Sequence, residues 1–270
     1  MGLLIMGDHD RIAQTFVNIK AKKKIGLVIF LTVGFPDLEA TLELIPALVS
    51  AGADAIELGI PFSDPLAEGP VIQESSFKAL QQGTRLQDCL DVVAELRDQV
   101  PDTPLILMGY YNPILRMGLS RFAEQAHESG VDGLIVVDLP HEEIGSLDSE
   151  CRARAIPIIP LLAPTSTEES IIASTEFASG FVYCISVTGV TGARESVSQQ
   201  GLDLIDRVRA HTSLPVALGF GVSTRKHVED VGLQAQAAVV GSALIRVMLE
   251  SPRDQLVDRA KRFVEQLAGS

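Results

Sequence analysis

Apolar and polar positions alternate along the chain in blocks. Short, nearly unbroken apolar runs occupy 27–31, 55–58, 105–108, 134–137, 156–162, 181–185, 216–218 and 237–240, with Val, Ile and Leu dominant. A strand buried on both faces of a parallel sheet reads this way, whereas a one-sided antiparallel strand alternates at every second residue. Between the runs, apolar residues recur at three- and four-residue spacing, the period of a helix with one buried face. Leu42, Ile45, Leu48 and Val49 share such a face in 38–51, where Pro46 removes one amide from the ladder. Leu90, Val93, Ala94 and Leu96 do the same in 86–100. The pattern predicts further helices over 122–129, 142–155, 168–175, 202–211, 224–231, 242–249 and 252–267. Gly52, Gly130 and Gly180 stand where a helix hands over to the next strand, a position that favours a left-handed residue.

Eight buried strands, each followed by a helix, predict one closed (β/α)8 barrel, an α/β fold. No linker or shift of composition divides the 270 residues, so 1–270 read as a single TIM-barrel domain. The rival arrangement is an open, doubly wound sheet. Evenly short strands and the lack of a dinucleotide-binding glycine fingerprint after the first strand argue against it. Two additions are expected. An amphipathic segment over 12–19, inside an N-terminal extension of residues 1–24, would cap the barrel's lower end. An extra helix over 71–80 lies in the longest connection, 59–104, behind the loop 61–69.

Charge narrows the partners. With 22 Lys+Arg against 35 Asp+Glu the net charge is −13, and no basic stripe could neutralise a nucleic-acid backbone. The one basic cluster, Lys20 with Lys22, Lys23 and Lys24, reads as solvated. Three widely spaced cysteines without a C-x-x-C pair suit neither a disulfide scaffold nor a zinc cluster, and fit a reducing compartment. No apolar run reaches membrane-spanning length, and the N-terminus lacks the pattern of a signal peptide, so a cytoplasmic protein is expected. The five histidines share no ligand spacing, and no metal is expected.

Barrel chemistry sits at the carboxyl ends of the strands. Glu57 lies in the second apolar run, where burying a carboxylate costs several kcal/mol unless it is paired or protonated. It is either bonded to a neighbouring Thr or Tyr, or a general acid/base whose pKa is raised by apolar surroundings. Asp64 and Glu68, in the proline-stiffened loop that follows, could supply a second carboxylate held ionised beside a protonated Glu57. Glycines follow three adjacent strands: Gly189 and Gly192 after the sixth, Gly219 and Gly221 after the seventh, and Gly241 before Ser242 after the eighth. Together they predict a phosphate site built from backbone N–H groups and a helix N-terminus. Phe30, Met108, Tyr183 and Phe220 could line an apolar pocket between carboxylates and phosphate. The polar run 194–200, anchored only by Val197, reads as a mobile lid.

The segments Phe30-Leu-Thr-Val-Gly-Phe-Pro36, Glu57-Leu-Gly-Ile-Pro-Phe-Ser-Asp-Pro65, Gly69-Pro-Val-Ile-Gln73, Thr188-Gly-Val-Thr-Gly192 and Gly219-Phe-Gly221 closely resemble the tryptophan synthase α subunit family, in order and over nearly the whole chain. The resemblance implies a cofactor-free lyase that splits indole-3-glycerol phosphate into indole and glyceraldehyde 3-phosphate. It also implies a pyridoxal-phosphate-dependent β subunit as partner, in an α2β2 assembly. On it, Glu57 is the acid/base and Glu68 takes the indole N–H, while Asp64 matches a loop residue that communicates with the partner. Thr191 matches a hydroxyl that bonds the loop carboxylate. Gly192, Gly221, Gly241 and Ser242 match the phosphate-binding backbone, and Phe30, Tyr183 and Phe220 the indole pocket. The family usually carries Asp where this chain has Glu68, one methylene longer, and Val187 replaces a cation found in some members. A stand-alone indole-releasing lyase, or a catalytically weak subunit that activates its partner, are the alternatives.

Overall fold

The computed structural model describes residues 10–185, 199–219 and 221–269. Its strands are β1 (Gly26–Thr32), β2 (Ala55–Gly59), β3 (Leu105–Gly109), β4 (Gly133–Val136), β5 (Leu161–Leu162), β6 (Val182–Ile185), β7 (Val216–Gly219) and β8 (Ala237–Val240). All pair in parallel, in the order β4-β3-β2-β1-β8-β7-β6-β5. The two ends meet at a parallel bridge between Leu134 and Ile158, where the Leu134 N–H donates to Pro157 and the Ile159 N–H to Leu134, each at 2.9 Å. The sheet is therefore the closed barrel that the eight apolar runs predict.

Around it lie α1 (Arg11–Ala21), α2 (Leu38–Ser50), α3 (Pro70–Gln81), α4 (Leu86–Arg97), α5 (Tyr111–Met117), α6 (Leu119–Ser129) and α7 (Gly145–Arg152). They continue with α8 (Glu168–Phe177), α9 (Gln199–Arg209), α10 (Arg225–Gly232), α11 (Ser242–Leu249) and α12 (Leu256–Ala268). Local chemistry sets their ends. Asp37 and Thr224 cap α2 and α10 by accepting the N–H groups of Ala40 and His227, and Pro70 opens α3, where its missing N–H costs no ladder bond. Helix α2 runs through Pro46 without a break. Helix α1 buries Ile12 and Ile19 at the amino ends of the strands, with Phe16 5.5 Å from the ring of Phe181. Gly26, which opens β1, leaves the space that Ile19 fills, since a side chain there would lie 2.5 Å from it.

Three local expectations change. The run 156–162 yields only a two-residue strand, because Pro157 and Pro160 have no N–H to donate and serve the ladder through their carbonyls alone. Helix α5 was not predicted; it follows β3 directly, and its first N–H, that of Tyr111, is taken by Asp138 at 2.7 Å. Gln199 and Gln200, grouped with the lid, open α9 instead, while 194–198 lie outside the described residues.

Candidate active site

The register of the barrel brings Phe30, Glu57 and Ile106 level with one another on β1, β2 and β3, and Gly59 level with Met108 one step nearer the mouth. Gly59 carries no side chain where the Phe30 ring lies; a Cβ there would stand 2.6 Å from that ring. Beyond these residues a pocket opens at the carboxyl ends of the strands. Phe30, Thr32, Glu68, Ile72, Met108 and Tyr110 are among its walls.

Glu57 is completely buried, and neither carboxylate oxygen has a hydrogen-bond partner among the described residues. No described Thr or Tyr satisfies it, against the reading of a carboxyl bonded by such a neighbour. Burial, and secondarily the charge of Glu68, pushes its pKa up to about 8. Half-buried Glu68 rises as well, to about 7, through loss of hydration. Glu57 is the more strongly raised of the two. Glu68 is thus raised too, and not held ionised as expected; no charged partner among the described residues offsets its desolvation.

Tyr183 on β6 is buried, with its hydroxyl against Gly219 at the end of β7, where a Cβ would stand 2.5 Å away. Burial, together with the charges of Glu57 and Glu68, raises its pKa well above the ordinary tyrosine value, so it remains a neutral phenol near both carboxylates. Asp64 is exposed; its Oδ2 accepts from the Ser63 hydroxyl at 2.5 Å, and it does not line the pocket. Gly241 precedes α11, whose N-terminus has no side-chain cap, so the first-turn N–H groups of Ser242 and its successors point out of the helix at the barrel mouth. Gly221, after β7, has φ +46 and open space where a side chain would be. Thr191, Gly192 and Phe220 lie outside the described residues, as does Val187.

The polar frame of the pocket went unread in the sequence. The Thr32 and Ser75 hydroxyls lie 2.6 Å apart, and Ser75 donates to the Ile72 carbonyl, which fixes α3 against β1. Gln73 and Tyr110 hold the loop that bears Glu68. Tyr110 could have been found by inspecting the end of the third strand, where Gly109-Tyr110-Tyr111 interrupts an apolar run. Among the described residues, no cluster of three His, Cys, Asp or Glu could hold a metal ion.

Such a site can move protons onto and off a bound molecule and grip an anion at its rim. Comparison with known proteins identifies the molecule's relatives. The family model described as Tryptophan synthase alpha chain matches residues 16–269. A tryptophan synthase alpha chain of Roseiflexus castenholzii is 46% identical over 260 residues, covering 96% of this chain and 100% of that one. One from Chloroflexus aurantiacus is 46% identical over 258 residues, covering 96% and 97%. Among solved structures, Mycobacterium tuberculosis tryptophan synthase superposes with a TM-score of 0.89 at 34% identity, covering 96% of this chain and 97% of that one. The tryptophan synthase complex of Pyrococcus furiosus gives 0.84 at 39%, covering 91% and 98%.

Proposed function

The chain belongs to the tryptophan synthase alpha chain family, lyases that cleave indole-3-glycerol phosphate in tryptophan biosynthesis, and on that premise we propose that Glu57 and Glu68 are its two catalytic carboxylates. The observation that carries this reading is Glu57 itself, a wholly buried acid with neither oxygen bonded, level with Phe30 on the inner wall below the pocket. A group in that state is unfavourable for stability and suited to proton transfer.

Retro-aldol cleavage begins with a proton delivered to indole C3, which breaks the ring's conjugation and gives the nitrogen positive character. The side-chain hydroxyl next to C3 then loses its proton. Its oxygen lone pair closes the aldehyde carbonyl, and the electrons of the breaking carbon–carbon bond return to the indole. Glu57, raised to about 8, enters the cycle protonated at neutral pH and can give its proton to C3. As a carboxylate it then takes the hydroxyl proton, so it ends as it began. Glu68 accepts the indole N–H and stabilises the charge that builds there; binding that N–H favours its ionised form. Phe30 and Met108, which line the pocket, bury the indole, with Tyr183 assigned beside them, and Gly221, Gly241 and Ser242 are assigned to the phosphate together with Gly192.

The proposal includes a pyridoxal-phosphate-dependent β subunit as partner in an α2β2 assembly. Its support is apolar surface on neighbouring connections at the barrel mouth: Leu66, 87% exposed in the loop before Glu68, and exposed Leu115 on α5. Asp64, beside Leu66, is assigned to signalling between the subunits. A cytoplasmic setting accords with three buried, unpaired thiols, and no helix among the described residues is long and apolar enough to cross a membrane. Glu57→Gln and Glu68→Gln test the catalytic assignment. Each is expected to lower kcat for indole release by ~10²- to 10⁴-fold while affinity for glycerol phosphate stays within about threefold. A variant that keeps the parental rate removes its residue from the mechanism.

A further inference from the structure

The loop that carries Glu68 is tied down at several points. Ser76 Oγ accepts the Phe62 N–H and donates to the Phe62 carbonyl, both at 2.9 Å. Gln73 Nε2 donates to the carbonyls of Pro65 at 3.3 Å and Glu68 at 2.9 Å. Both side chains come from α3, the helix into which the loop runs, so they travel with it. One further tie crosses to a different strand. The Ala67 N–H donates to the hydroxyl oxygen of Tyr110 at 3.1 Å, and the Tyr110 ring stacks on Phe62 with centroids 4.8 Å and planes 21° apart.

Tyr110 is itself immobilised. It is buried at the carboxyl end of β3 and precedes α5, and the next N–H along the chain is held by Asp138. Its phenol stays neutral, because burial and the charges of Glu68 and Asp138 push its pKa up to about 12. The Glu68 carboxylate, by contrast, makes no hydrogen bond to any described residue, so among these its place is set by the backbone beneath it.

We propose that Tyr110 is a positioning residue for the cleavage reaction, its hydroxyl latching the backbone beside Glu68 to the rim of β3 and so setting where the loop carboxylate meets the indole N–H. The proposal rests on Glu68 being catalytic. It follows from leverage: the latch grips the residue immediately before Glu68, and a shift of ~1 Å in a reacting group can lower a rate on the order of a hundredfold.

Tyr110→Phe preserves the ring stack and removes only the acceptor. Amide hydrogen exchange at Ala67 should accelerate at least ~10-fold, kcat for indole release should fall ~10- to 100-fold, and KM and Tm should stay near parental values. Unchanged exchange overturns the latch. Faster exchange with unchanged kcat overturns the positioning role. A rise in KM at constant kcat would make Tyr110 a substrate contact, and a fall in Tm matching the lost activity would make it merely structural; either overturns the proposal. Phe62→Leu, which removes the stack and keeps the hydroxyl, should leave Ala67 protected and lower kcat less than Tyr110→Phe; the reverse order would assign the effect to the stack and overturn the latch. Should Glu68→Gln retain the parental rate, the role of Glu68 fails, whereas exchange at Ala67 still reports the hydrogen bond.

Discussion

At the scale of single residues, Glu57 joins function to a loss of stability. Its carboxyl is raised from 4.5 to about 8 on folding, so the folded chain holds this proton more tightly than the unfolded one. The stability it contributes is complete below pH 4.5 and is lost as pH rises through about 8. Glu57→Gln, which has no charge to bury, should stabilise the ligand-free protein at pH 7 on the order of 2 kcal/mol. Denaturant unfolding at pH 5.5 and 8.5 checks this. The advantage of the variant should widen at the higher pH, and an advantage independent of pH would show that Glu57 is not buried as a titrating acid. Position in an apolar run made Glu57 legible as a candidate. Its lack of partners was not legible, since any partner would come from other strands. Tyr110 was missed for a related reason: its bond to Ala67 spans 43 positions and leaves no local pattern.

At the scale of elements, a recurrent clamp aligns the strands at the barrel's lower end. Asp54, just before β2, accepts the Leu27 N–H at 2.9 Å and returns its own N–H to Leu27 at 2.8 Å. Asp132, before β4, does the same to Leu105, and Gln236, before β8, to Val216. Asp132 also takes Arg97 at 2.8 Å and Arg11 at 2.9 Å, which fastens α1 and α4 to the strand start. Asp132→Ala would leave one backbone N–H and two guanidinium groups without this partner, and should destabilise the fold by about 3 kcal/mol. Indole release per folded molecule should hardly change, because the clamp lies at the opposite end from the pocket. Loss below about 1 kcal/mol in denaturant unfolding would show that water replaces the clamp. Strand positions were legible throughout, since burial on both faces leaves an unbroken apolar run. The length of β5 was overread because periodicity does not register the missing amides of Pro157 and Pro160. Helix α5 escaped because its anchor, Asp138, comes from the exit of the next strand.

For the whole molecule, the barrel supplies a stiff inner wall for Glu57 and a tethered loop for Glu68, with the uncapped α11 N-terminus completing the mouth. Leu66 and Leu115 are exposed on connections at the carboxyl ends of the strands, so in the proposed assembly partner docking and catalysis would share one face. The most direct test of this account is indole release from indole-3-glycerol phosphate, by the parental chain and by Glu57→Gln, each alone and with a β subunit added. Release by the parental chain should be slow and rise sharply with the partner, and none above background should come from the variant in either setting. Release by Glu57→Gln at the parental rate would contradict it, as would a parental rate that the β subunit leaves unchanged.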